Sequence, residues 1–517
     1  MATSFALTGC SSGGGDSTDF VTVNGGEPQK PLVPTDVNEN MGGRVVDRLW
    51  AGLKYYDAGG KATNEVAQSI DTTDRQHYKI TLKDWKFTDG TAVTAKSFVD
   101  AWNYGALGTN GQLQNAAFSE IAGYDDVSAD PPKAQTLSGL KVIDDHTFTI
   151  DLKEPSIDFE LELGYAPFYP MPESFFKDTK GFGEHPIGNG PYKFSDWQHN
   201  VQIDVVPNPD YHGGRPAKNK GLRFVMYQSY DTAYADLQAG NLDALDIIPD
   251  SALATYKKDL GDRAIQHPIA YSQHIGIQPT VAHFGGAEGV LRRKAISMAI
   301  NRDQIADNIF HGTRVACQDF TAFTLPGFRG GLPGSEALKF NPDEAKKLWA
   351  QANAISPWSG SFQIGYNADG GHQGWIEAVA NSVKNTLGID SVGVPYPTFK
   401  GIRDEITNKT IGKAFRYGWQ GDYPSMFEFL TQLYLTGSGS NNTQYSSPEF
   451  DQLLTKAQAA ATPEAAYDIL AQAQTVLFKD MPDIPIFDYN VAAGRSDKVK
   501  KAEVSWSGLF DFENIEK

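Results

Sequence analysis

Leu82-Lys83-Asp84-Trp85-Lys86-Phe87-Thr88-Asp89-Gly90-Thr91, with Thr94-Ala95-Lys96-Ser97-Phe98-Val99 close behind, contains a strand, a turn and a helix start in immediate succession. The strand must stop at Asp89-Gly90, because glycine reaches the left-handed backbone that a tight turn needs. Thr94 is then a capping residue, and Phe98, Ala101 and Trp102 fall on one face of the helix it starts.

The same alternation of strands and capped helices continues on both sides. His146–Leu152 places Phe148, Ile150 and Leu152 on one strand face, and Val201–Val205 does the same with Val201, Ile203 and Val205. Proline stands at the first helical position behind a capping residue in Asn341-Pro342, Ser447-Pro448 and Thr462-Pro463. Glu344 holds the capping-box position of the first of these. Leu291, Ala295, Met298 and Ala299 form one apolar helix face, with Arg292, Arg293 and Lys294 off it. The expected class is α/β. At 517 residues the chain exceeds one hydrophobic core, so two or three domains are expected.

Composition narrows the function. Hydrophobic residues are 40% of the chain and aromatics 12%, which excludes a largely disordered protein. The net charge of −18 argues against nucleic acid as a partner, since phosphate binding needs clustered Lys and Arg. No run approaches the roughly 18 apolar residues of a spanning helix. There is no H-E-x-x-H, C-x-x-C, P-loop or Rossmann glycine pattern, so no metal, no cofactor and no catalytic residue is assigned. Cys317 has no partner at ligand spacing and is expected to be a small buried side chain.

Near the N-terminus, Leu7-Thr8-Gly9-Cys10 is followed by Ser11-Ser12-Gly13-Gly14-Gly15. This resembles the bacterial lipobox, whose Cys is lipidated and followed by a flexible small-residue tether, here residues 1–19. Only nine residues precede Cys10 and none is basic, so a longer leader is expected upstream, or the chain has been trimmed. The alternative is a tail holding a chance Cys.

Several further segments are shared with one family. The Leu82–Val99 stretch is similar to a strand, F-S-D-G and T-A-x-D-V-helix signature. Pro186-Ile187-Gly188-Asn189-Gly190-Pro191-Tyr192 is similar to P-x-G-T-G-P-Y, with glycines expected at positive φ. Asn208–Gly214 follows N-P-x-Y-W-G-G, with His212 in place of the aromatic. Leu237–Asp243, Arg292–Arg302 and Met481–Ile486 match in the same order. Together they resemble the bacterial extracellular solute-binding proteins of family 5, the oligopeptide- and dipeptide-binding proteins of ABC importers.

The resemblance implies a periplasmic-binding-protein-like fold: two α/β lobes around a cleft, with an extra subdomain. The first lobe would be residues 20–62, 187–278 and 485–517, the subdomain 63–186, and the second lobe 279–484. The hinge would lie at Gln278-Pro279 and Ile484-Pro485.

Arg416-Tyr417-Gly418-Trp419-Gln420-Gly421-Asp422-Tyr423-Pro424 resembles the family's R-x-G-W-x-x-D-Y. The resemblance implies that Asp422 pairs with a ligand α-ammonium, since a carboxylate is an acceptor of opposite charge. Trp419 would wall the cleft, and the backbone of Tyr417 and Gly418 would pair with a peptide main chain. Arg416 and His372 would meet the ligand's carboxylate. Other roles stay open: a turn cap before Pro424 for Asp422, core packing for Trp419, a helix cap for His372. The implied function is a non-enzymatic, lipid-anchored, monomeric receptor at the extracellular face of a bacterial membrane (periplasmic in a Gram-negative cell). It would deliver short peptides to ABC permease subunits. An oligosaccharide, nickel-chelate or opine ligand in the same fold is the alternative, and an extracellular hydrolase a more distant one.

Overall fold

The computed structural model describes residues 19–517, the side chain of Asp369 excepted, so Cys10 and its tether lie outside the described residues. The opening stretch folds as its chemistry requires. Strand His77–Leu82 ends, Gly90 turns with φ 86°, and Phe87 closes the turn by donating to the Thr91 carbonyl at 2.9 Å. Helix Ala95–Ala106 follows, its start fixed where the Thr94 amide donates to Ser97 Oγ at 3.1 Å. Phe98, Ala101 and Trp102 are buried, with Trp102 set edge-on against Phe148 and Phe168. The helix covers an antiparallel four-stranded sheet ordered Ala67–Asp71, His77–Leu82, Thr147–Asp151, Leu140–Asp144.

The larger sheet has eleven strands, and two long antiparallel ones form its spine. Ala264–Gly276 pairs with Asp483–Arg495, from Ala264 opposite Gly494 to Gly276 opposite Asp483. Towards one side the second of these leads through Ala244–Leu245 to Val21–Gly25, Leu222–Met226, Gln202–Pro207 and Tyr192–Gln198. Towards the other, Ala264–Gly276 leads to Ala414–Gln420, Phe362–Asn367 and Ser391–Tyr396. Two large cores result. One gathers Val21, Leu49, Trp102 and Phe512; the other gathers Ile275, Ile296, Phe415 and Ile484. Among the described residues no helix is long and apolar enough to cross a membrane.

Several sequence expectations need correction. Gly188 and Gly190 do not have positive φ; they are glycine because the chain passes against Leu49 and Trp50. A Cβ on Gly190 would stand 2.7 Å from Trp50 N and the Leu49 carbonyl carbon, and one on Gly188 would strike the Leu49 carbonyl oxygen. Val201 is exposed in the turn before strand Gln202–Pro207, so only Ile203 and Val205 carry that strand's inner face. Arg292 and Arg293 are off the apolar face of helix Gly286–Ala299 yet buried. Arg292 pairs with Glu288 at 2.7 Å, and its guanidinium carbon lies 4.5 Å from the Trp349 ring centroid and 5.0 Å from that of Trp358. Arg293 donates to the carbonyls of Phe284, Met481 and Asp480. Glu344 pairs with Lys347 at 3.1 Å, while Asn341 alone caps its helix by accepting from the Glu344 amide. Of the residues expected at the hinge, Gln278 is buried and donates to the Ile406 and Asn442 carbonyls, and Ile484 pairs with Ile275 within the spine. The spine's pairing register shifts between Pro268 and Ser272 and between Gln273 and His274.

Candidate functional site

Strand Ala414–Gln420 delivers the site. Phe415 and Tyr417 face the second core, and after Gln420 the chain is turned by the Gly421 amide, which donates to the Ala270 carbonyl at 3.0 Å. Ser425 then caps helix Met426–Tyr434 by accepting from the Phe427 amide at 3.0 Å. Asp422 sits on the short link between strand and helix and lines a cavity of about 460 Å³ between the two halves. Tyr165, Tyr55, Tyr56 and Trp506 are among its other walls.

Asp422 caps nothing, since Ser425 does that work, and among the described residues no cation pairs with it. Asp422 is exposed to the cavity that it lines, with protein walls on either side. Burial pushes its carboxyl up to about 6, opposed by a hydrogen bond from Tyr165. The cavity's arginines are already neutralised: Arg48 pairs with Glu513 at 2.9 Å, and Arg215 with Glu65 and Glu513 at 3.1 Å each. Asp47, also on the wall, accepts from the Tyr169 hydroxyl at 3.1 Å, and burial raises its pKa too. Asp422 is thus a carboxylate on the cavity wall without a cationic partner among the described residues.

The other expected residues fall in different places. Tyr417 points away from the cavity, its hydroxyl on Asp483 and its ring stacked with His274. Trp419 is partly buried against the second core and donates to both Glu428 oxygens, at 2.9 and 3.2 Å. Gly418 leaves room for the Tyr271 hydroxyl, which a Cβ would strike. Arg416 is buried, donating to Asn367 Oδ1 at 3.1 Å and Gln273 Oε1 at 3.3 Å, and its Nε finds no acceptor. His372 precedes helix Gln373–Leu387 and accepts from Trp375 Nε1 at 3.2 Å. The His372 ring and the Asn367 amide both flank Gly370, so Arg416 and His372 share one corner through Asn367. Neither lines the Asp422 cavity. The Phe362–Asn367 strand pairs with Ala414–Gln420 only at Ala414 and Phe415. Among the described residues, the edge beyond Phe415 that faces away from Ala264–Gly276 therefore carries no strand.

Next to Asp422 lies a feature invisible in any single segment. Tyr423 donates to Glu162 at 2.8 Å, Gln458 to Glu120 at 3.3 Å, and Ser425 and Tyr423 hold Asp158. Burial pushes Asp158 up to about 6 and Glu120 to about 7, and raises Glu162 and Glu428 well above the carboxylate range. Arg75 completes this junction by donating to the Ala460 and Ala461 carbonyls.

The chain as a whole is similar to known proteins. The profile of the bacterial extracellular solute-binding proteins, family 5 Middle, matches residues 61–441. The chain belongs to this family. Among its family 5 relatives, the oligopeptide-binding protein OppA of Bacillus subtilis is 26% identical, over 96% of this chain and 93% of its own length. The periplasmic OppA of Salmonella typhimurium is 27% identical, over 92% and 88%. The structure of Haemophilus influenzae OppA in complex with RPPGFSPFR superposes with a TM-score of 0.77, at 24% identity and over 97% and 98% of the two chains. The family fold is the two-lobed α/β type expected from the sequence.

Proposed function

We propose that the chain is the substrate-binding component of an ABC importer and captures short peptides between its two lobes. The observation that carries this reading is Asp422: a carboxylate with no cationic partner among the described residues, lining an interlobe cavity at the end of a strand whose outer edge those residues leave open. A peptide's α-ammonium supplies the missing charge. The open edge at Tyr417–Gln420 offers main-chain donors and acceptors that bind any sequence. Trp419 backs that edge, and Arg416 and His372 share the corner around Asn367, outside the cavity. Relatives named for oligopeptide binding, and one solved with RPPGFSPFR, support the peptide assignment. The lobes would close around the spine, with Cys10 lipidated on the outer face of the cell membrane and ABC permease subunits receiving the ligand. Calorimetry with tetra-alanine and its N-acetylated form tests the reading. Binding of the free peptide and more than tenfold weaker binding of the blocked one is expected; equal affinities, or no binding of either, would overturn it.

A further inference from the structure

The junction beside Asp422 joins the two cores, and its three acids, Glu120, Asp158 and Glu162, line no part of the cavity. Glu120 precedes Ile121, while Asp158 and Glu162 bracket Phe159, and both apolar residues belong to the first core. Their partners come from the other half: Tyr423 and Ser425 precede Met426, and Gln458 follows Ala457, both in the second core. Tyr423 donates to Glu162 at 2.8 Å and Gln458 to Glu120 at 3.3 Å, so these contacts cross between the halves. Also facing the acids from the second half are Asp422, Glu428 and the Tyr467 phenol. From their own half come the Ser156 hydroxyl and the Tyr78 phenol. The cation at the junction, Arg75, is spent on the Ala460 and Ala461 carbonyls just past helix Pro448–Gln458, and Lys54 is engaged by Glu160 at 2.6 Å. Among the described residues no cation pairs with Glu120, Asp158 or Glu162, and the buried Asp158 Oδ2 and Glu120 Oε2 find no hydrogen-bond donor.

We propose that this junction is a proton-operated latch: its acids enter the contact neutral, so acidification draws the two halves together and rising pH lets them part. This rests on the lobe closure proposed above and on no particular ligand. Carboxylates crowded into one dry contact without a cation repel one another, whereas a proton on each removes the repulsion and turns the acid into a donor. Side chains of the second half cover the acids, and burial is the first cause that raises Asp158 to about 6 and Glu120 to about 7. Once the halves separate, the acids meet water and return towards ordinary carboxylate values. The closed form therefore holds more protons than the open one. Its advantage is complete below about pH 4, declines as pH rises through 6 and 7, and is absent above. The closing equilibrium should change roughly tenfold or more between pH 5.5 and pH 8. Asp422, on the cavity, acts in the opposite sense, because it must be charged to hold an ammonium; a measurement without ligand separates the two.

Small-angle scattering of the ligand-free full chain at pH 5.5 and pH 8 tests the latch. The proteins compared are wild type, the triple variant Glu120→Gln, Asp158→Asn, Glu162→Gln, and the control Glu160→Gln, whose acid already has Lys54. Wild type should be more compact at pH 5.5 than at pH 8. The triple variant, neutral at these positions at either pH, should be compact at both, and Glu160→Gln should respond as wild type does. A radius of gyration that stays constant in wild type, or a pH response that survives in the triple variant, would overturn the latch. So would loss of the response in Glu160→Gln, which would mean a general charge effect. A second reading needs no variant: calorimetry of wild type with tetra-alanine at pH 7, in two buffers of different ionisation enthalpy, counts protons exchanged on closing. Uptake is expected, and release or no exchange would contradict the latch. If tetra-alanine does not bind, the peptide reading fails while scattering still decides the latch.

Discussion

Replacing Asp158 by Asn should make the stability of the protein respond differently to pH. Asp158 is 7% exposed, its Oδ2 has no hydrogen-bond partner among the described residues, and the charged groups around it, Glu120, Glu162 and Glu428, are all acids. Burial raises its folded-state pKa from 3.8 to about 6. A shift of about 2 units is about 3 kcal/mol between protonation states. Because the folded pKa lies above the unfolded one, the contribution is complete below pH ~4, declines as pH rises through 6, and is gone above it. The Asn variant has no such loss. Urea unfolding of both proteins at pH 4 to 8 reads the effect, since titrating groups distant from Asp158 cancel in the difference and only Glu120, Glu162 and Glu428 respond to the lost charge. The variant's stability relative to wild type should rise by up to about 3 kcal/mol between pH 4 and pH 7 and then level off. A difference that stays flat within about 0.5 kcal/mol would mean that Asp158 is hydrated and the junction is not the dry contact described.

Two further outcomes follow from the anchor and the lobes. Expressed in a bacterium behind a lipoprotein signal peptide, the protein should partition into detergent, and Cys10→Ala should release it to the aqueous phase; each buried CH₂ of the lipid contributes ~0.8 kcal/mol, so a variant that stays membrane-bound would exclude Cys10 as the anchor. Saturating tetra-alanine should make the particle more compact by small-angle scattering and change tryptophan emission through Trp506 on the cavity wall; an unchanged radius of gyration would mean the lobes do not close.

Features that depend on neighbours in sequence were legible, and those assembled from distant segments were not. The helix starts at Pro342, Pro448 and Pro463 appear where proline and a capping side chain stand together, because capping is a contact over three residues. The strand carrying Phe148 and Ile150 was readable from alternation alone. Buried Arg292 was not, because the Trp349 and Trp358 rings that cover it come from another helix and the loop after it. Gly188 and Gly190 were found for the wrong reason: the sequence marks a glycine requirement without saying whether backbone angle or a close neighbour causes it. At the site, Asp422 was visible through its motif, whereas Tyr165 beside it and the acids facing Tyr423 gave no local signal. Tyr423 and Glu162 are 261 positions apart, and only the fold brings them together.

The central claim is that Asp422 clamps a peptide's α-ammonium, and calorimetry of Asp422→Asn with free and N-acetylated tetra-alanine tests it most directly. Removing one partner of a desolvated pair costs roughly 2–5 kcal/mol, so the variant should bind the free peptide more than tenfold more weakly than wild type does. The blocked peptide, which carries no ammonium, should bind wild type and variant with nearly the same low affinity. Equal losses for both peptides, or no loss for either, would contradict the clamp.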